Sequence, residues 1–255
     1  MIMFRRTARA LFFTARSACL ALAAGISACA GPPSYSYAGE SGPEHWATLS
    51  SSYRECAAGT RQSPVELAGA RASALPVLNA EYGETALVRA SGGHGIEFHV
   101  AEGSELFVGG APSELKQFHF HSPAEHLVAG ARYPLEIHFV HEDRSGGLTV
   151  LAVFVKEGRT NPALKLIADA LRKGRARTGP PPRLKLKTLI ASVDGYFAYS
   201  GSLTTPPCTQ PVSWIVLAEP LEADAATLRR FSEVLGGNAR PVQPLDGRAV
   251  LRSRR

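Results

Sequence analysis

Residues 117–127 read QFHFHSPAEHL, and three of the chain's eight histidines fall inside them. In an extended strand, residues two apart share a face. Gln117, His119 and His121 therefore stand on one side, with Phe118 and Phe120 on the other. A second run, LEIHFVH (135–141), repeats the arrangement: Glu136, His138 and Val140 share one face, and Ile137 and Phe139 lie behind. Pairing the two strands lets three imidazoles converge over an apolar backing. Three neutral histidines with an open fourth position make a catalytic zinc site. Gln117 and Glu136 each sit one strand repeat from a ligand, placed to accept a ring N–H and fix its tautomer. The spacing predicts Zn2+ on His119, His121 and His138.

Around this pair, short apolar runs alternate with Gly, Pro and Asn. They predict strands at 86–90, 94–100, 105–108, 115–121, 135–141, 148–155 and 212–217. Helices are few. NPALKLIADALRKG (161–174) offers an Asn cap, Pro at the first position and Gly past the end. ADAATLRRFSEVLGG (223–237) places Leu228, Phe231 and Leu235 on one face. Residues 31–60 read as an irregular arm, and GPPPR (179–183) as a loop. No linker divides the chain, so the expectation is one mainly β domain over 31–255, an α+β fold with a large sheet and a few short surface helices.

Residues 1–30 differ in kind. Arg5, Arg6, Arg9 and Arg16 precede the apolar stretch ACLALAAGISACA (18–30) with no acid among them, which predicts an export signal and a periplasmic location. Two endings compete. Ala28 and Ala30 fit an A-x-A cleavage site, while ISAC (26–29) resembles a bacterial lipobox that would leave Cys29 as a lipidated, membrane-anchored first residue. Without the signal, 24 basic residues face 22 acids. Seven of those cations lie in 172–187 and four arginines in 248–255. A solvated basic loop on an otherwise acidic exported body speaks against nucleic acid as a partner. Outside the signal only Cys56 and Cys208 remain, and in an oxidising compartment a disulfide is the default.

A second cluster, YSGSLTTPPCTQPVSW (199–214), carries two threonine hydroxyls on a proline-stiffened turn ahead of a strand. Here the chain resembles the α-class carbonic anhydrases, the exported bacterial members above all. The matching stretches run in order: YSYAGESGPEHW (35–46), RQSPVEL (61–67), GGHGIEF (92–98), QFHFHSPAEH (117–126), LEIHFVH (135–141), GGLTVLAVFVKEG (146–158), YSGSLTTPPC (199–208), VSWIVL (212–217) and NARPVQPL (238–245).

The resemblance implies a twisted, mostly antiparallel central sheet. It also implies reversible hydration of CO2 to bicarbonate and a proton by zinc-hydroxide attack. It places the zinc ligands on His119, His121 and His138, and their outer acceptors on Gln117, Glu136 and the backbone carbonyl of Asn238. The gatekeeping threonine falls on Thr204 with Glu125 as its partner, a second active-site threonine on Thr205, and the proton shuttle on His94. Val140, Val150, Leu203 and Trp214 match the apolar substrate wall, Tyr37 a water-ordering tyrosine, and Cys56 with Cys208 the bacterial disulfide. The remaining histidines have structural readings: His45 packs, His126 and His141 fall off the ligand-facing phase, and His99 faces away from His94.

Two other readings of the residues compete with this one. HFHSPAE fits the H-x-H-x3-E of a cupin, but no second cupin motif follows residue 126. A non-catalytic zinc-binding surface protein on the same fold would be expected to lack a ligand, yet all three are present with Thr204 and Glu125. The chain also departs from the family: Tyr35 and Ser122 stand where tryptophan is common, and the basic segment 172–187 bears on any homodimer interface.

Overall fold

The computed structural model describes residues 33–90, 96–171 and 179–254. The export-signal reading and His94 lie outside them, as does the start of the basic segment. Among the described residues thirteen strands are formed: β1 Arg71–Ser73, β2 Leu78–Glu81, β3 Glu84–Ala86, β4 Glu97–His99, β5 Glu105–Val108, β6 Ala111–His121, β7 Leu135–Glu142, β8 Leu148–Glu157, β9 Arg183–Lys185, β10 Tyr196–Gly201, β11 Val212–Leu217, β12 Leu221–Ala223 and β13 Leu251–Ser253. The helices are α1 Trp46–Leu49, α2 Glu55–Ala58, α3 Pro162–Ala170 and α4 Ala225–Leu235.

Eleven of the strands join one sheet in the order β1-β13-β10-β11-β8-β7-β6-β5-β2, with β12 on β8 and β4 on β6; β3 and β9 pair separately. Most neighbours are antiparallel, but β8 pairs parallel with both β11 and β12, and β1 with β13. The central strands are buried on both faces, which is why β8 reads as a nearly unbroken apolar run, and in β7 even the polar residues Glu136, His138 and His141 are buried. Leu151, Val153 and Val155 of β8 face a core that also holds Leu164 and Ile167 of α3 and Phe231 of α4. Val150, Ala152 and Phe154 face the other way, with Trp214 and Val216.

A β-bulge decides the phase of β6. Leu115 lies opposite His141 and Gln117 opposite Val140, so Lys116 is the extra residue. That insertion lets Leu115 share the core face with Phe118 and Phe120 while Gln117, His119 and His121 all face the opposite side. Phe118 stacks on Phe139 across the strand pair at 5.9 Å between ring centroids. Burying each such ring is worth about 1.5–3 kcal/mol.

Several expectations need correction. Residues 86–90 are not a strand: β3 ends at Ala86, and beyond it only Arg89 makes an isolated bridge, to Phe98. The Leu87 N–H is taken by Pro182 O, and Val88 is exposed, so no alternating face forms. Of the described residues in 94–100, the strand takes only those of β4. Strands β1, β2, β9, β10, β12 and β13 went unread, most being three or four residues long. The N-terminal arm carries α1 and α2, single turns too short to show a period. Helix α3 starts on the expected Asn161 cap, whose Oδ1 accepts from the Ala163 and Leu164 N–H groups. Helix α4 starts later than expected because Asp224 caps it through Thr227 N–H, and it closes on left-handed Gly236.

Candidate active site

The cross-strand register sets the site: His119 lies opposite His138 and His121 opposite Glu136. The three rings gather with centroids 4.5–5.1 Å apart. Each ring has one nitrogen engaged. His119 Nδ1 is 2.8 Å from Gln117 Oε1, His121 Nδ1 is 2.8 Å from the Asn238 carbonyl, and His138 Nε2 is 2.8 Å from Glu136 Oε1. Against these acceptors the engaged nitrogens carry the protons, so the other three present lone pairs. One nitrogen of each ring lies within 4.8 Å of the others, and the buried His121 Nε2 has no hydrogen-bond partner. An orphaned buried nitrogen aimed at two more is what a metal would satisfy. Three neutral nitrogens suit zinc.

The electrostatics agree. Burial pushes all three imidazoles below their ordinary value, and His119 is lowered further by its neighbours His121 and His138. Neutral rings are the form a metal needs. For Glu136, burial works against ionisation, but His126 and His138 hold the carboxyl well below the usual range. It accepts from the Glu125 and His126 N–H groups at Oε2 and from two rings at Oε1. Asn238 is itself locked: its side chain takes the Ser122 N–H and donates to Phe120 O.

The opposite side of the site is built from loops. Glu125 is fully buried, its Oε1 taken by Arg240 N–H at 2.8 Å. Burial raises its carboxyl to about 7, while His138, that N–H and the Thr204 hydroxyl pull the other way. Thr204 thus faces the carboxylate, although Oε2 completes no regular hydrogen bond. The threonine loop is closed by Leu203 N to Thr209 O and Cys208 N to Thr205 O. Cys56 and Cys208 are disulfide-bonded across 152 residues, with Cα atoms 5.0 Å apart. A cleft of about 960 Å3 opens over the rings, and Val140, Val150, Leu203 and Trp214 give it an apolar wall. Thr205, Tyr35 and Tyr37 line its other side; burial pushes the Tyr35 phenol to about 12 and Tyr37 higher still.

The structure therefore brings together every expected site residue it describes. His45 does not pack: it is exposed beside the buried Trp46. His141 is buried against Tyr82 and Thr149 O on the far face, and His99 is exposed beside Glu97. His126 is off the ligand phase as expected, yet it is not inert. Its Nδ1 meets Glu136 at 2.7 Å and its Nε2 meets the Tyr199 hydroxyl at 2.7 Å. Arg240 was also missed. It is 1% exposed, lies over the Trp46 ring, and donates to Cys56 O, Gln62 Oε1 and Ser63 O. Neither residue has a periodic signal, because each acts across more than 70 residues of sequence or from an irregular segment.

Comparison with known proteins points one way. Residues 41–254 match the family described as eukaryotic-type carbonic anhydrase. The chain is 38% identical over 224 residues to the carbonic anhydrase of Nostoc sp., covering 85% of each protein. It is also 38% identical over 221 residues to that of Neisseria gonorrhoeae, covering 85% of this chain and 87% of the other. Among solved structures, the α-carbonic anhydrase of Thermovibrio ammonificans, bound to the inhibitor sulfanilamide, superposes with a TM-score of 0.79 at 40% identity. That match covers 87% of this chain and all of the other.

Proposed function

The chain belongs to the eukaryotic-type, or α, carbonic anhydrase family; it is a zinc-dependent lyase that reversibly hydrates CO2, and on that premise we propose the following roles for its residues. His119, His121 and His138 hold the zinc. Bound zinc supplies a Lewis acid that makes hydroxide available near neutral pH, a property for which carbonic anhydrase is itself the standard example. Gln117, Glu136 and Asn238 fix the three tautomers so that each ring turns a lone pair inward. Val140, Val150, Leu203 and Trp214 hold apolar CO2 without offering it a hydrogen bond.

Thr204 donates its proton to the Glu125 carboxylate, which can only accept. Its oxygen is then left to accept a hydrogen bond from the attacking species, and so aims that species' lone pair. Thr205 and Tyr37 order water in the cleft. His94 carries the product proton to solvent, a task suited to a side chain that titrates near neutrality.

We also propose that residues 1–30 direct export to the periplasm; the Cys56–Cys208 disulfide supports an oxidising destination. Mass spectrometry of the mature N-terminus distinguishes an A-x-A cleavage from a lipid on Cys29.

The observation that carries the reading is the convergence of three tautomer-fixed imidazoles beneath an apolar wall. Stopped-flow CO2 hydration by the zinc-loaded protein tests it. Fast hydration that falls to background in His119→Ala, with stoichiometric zinc lost, is the expected result. Stoichiometric zinc without hydration would move the protein to a binding role on the same fold.

A further inference from the structure

Ser63 lies in RQSPVEL, a stretch to which the mechanism above assigns no task. It is fully buried, and all its polar atoms are engaged. Its N–H donates to Ser202 Oγ at 3.0 Å, and its own Oγ accepts from Ser202 N–H at 3.0 Å. The Tyr199 hydroxyl is 2.9 Å from that Oγ, and the Ser63 carbonyl accepts from Arg240 at 2.8 Å. Gly201 makes the approach feasible: a Cβ there would fall 2.1 Å from Ser63 Oγ.

From Tyr199 the contacts continue to His126, then to Glu136 Oε1, and from that oxygen to the ligand His138. His126 is thereby held at both ring nitrogens, which fixes the ring plane, and Trp214 packs edge-on against it at 4.9 Å. A ring so held fixes in turn the oxygen it shares with His138. The other direction leads through Ser202 to Leu203 and Thr204.

We propose that Ser63 and Tyr199 are positioning residues for the metal centre: through His126 and Glu136 they set how firmly His138 retains zinc. Neither touches zinc or CO2. Without the Ser63 hydroxyl, Tyr199 loses one partner and the buried Ser202 N–H loses its acceptor, so the hydroxyl that holds His126 Nε2 is itself less firmly placed. Groups that orient a ligand in this way change metal affinity by about 10–100-fold.

The inference rests on the zinc reading, so the experiment separates the two. Zinc content of the unmodified protein comes first; absence of bound zinc would overturn that reading rather than this one. Zinc loss is then followed colorimetrically in excess chelator, with no assay of hydration. Ser63→Ala and Tyr199→Phe should each speed zinc loss on the order of tenfold. Their double variant should be no faster than the worse single one, because both act on one chain of contacts. Tyr196→Phe is the control: that hydroxyl bonds Pro76 O, away from the site, and its loss should leave the rate unchanged. Zinc loss from Tyr199→Phe within about twofold of the unmodified protein would overturn the proposal, as would an equal acceleration by Tyr196→Phe. If Ser63→Ala does not fold, Tyr199→Phe decides alone.

Discussion

The two sides of the cleft are built by different means. On the β6–β7 side, a ladder with period two aligns His119, His121 and His138, and the backbone does most of the placing. On the side of Thr204, Glu125 and Asn238 there is little regular structure. Position there comes from single contacts between distant segments: the disulfide, the Arg240 guanidinium, and the hydrogen bonds of Ser63 and Ser202. A ladder is redundant, since losing one bond leaves its neighbours in place. A loop held by individual contacts is not. The ligand side should tolerate damage that the loop side does not.

The disulfide offers the hardest test of that contrast. Closing a loop across 152 residues removes unfolded-state entropy worth about 5 kcal/mol in the chain-entropy model. Reduction, or a Cys56→Ser/Cys208→Ser double change, should lower the urea midpoint accordingly. Zinc stoichiometry should survive under native conditions, because the ligands stand on β6 and β7. Loss of zinc in the still-folded reduced protein would break the contrast.

A pH titration probes the underside of the ladder. Burial holds His141 at about 4, below its ordinary 6.5, so the unfolded chain takes up a proton first as pH falls. This contribution is fully present above about pH 6.5 and is lost progressively down to about pH 4, by up to about 3 kcal/mol. Denaturation midpoints across that range should fall less steeply in His141→Gln than in the unmodified protein. Equal slopes would remove His141 as the cause.

Thr204→Ala addresses the loop side directly. It should lower kcat/KM about 100-fold, as loss of a positioned transition-state hydrogen bond does, with zinc content unchanged. A parallel fall in zinc content would mean the two sides are not separable. The smallest effect is expected at neither side: Asn161→Ala removes the α3 cap and should cost about 1 kcal/mol of stability with hydration unaltered. That variant shows what a purely structural change looks like in the same assays.

The comparison also explains which parts were legible beforehand. Strand phase is local, so the ligand face of 117–121 and 136–140 could be read directly, and the caps on α3 followed from neighbouring residues. The three-residue strands could not be read this way, since they exist only because a partner strand accepts their hydrogen bonds. His45 shows the opposite failure: it reads as a packing residue, but the neighbouring Trp46 is buried and the histidine exposed.

By itself, the sequence determined the three histidines proposed as metal donors, their alternation against the phenylalanine core, and the cysteines available to pair. These follow from residue identity and a two-residue period. Only the tertiary structure decided the bulge at Lys116 that reconciles Leu115 with the histidine face. It alone placed Arg240 behind Glu125, and it alone revealed the contacts from His138 through His126 and Tyr199 to Ser63. Such contacts join residues up to about 180 positions apart. They form only where buried polar groups must find partners that water no longer supplies, and no local pattern records which partner each will find.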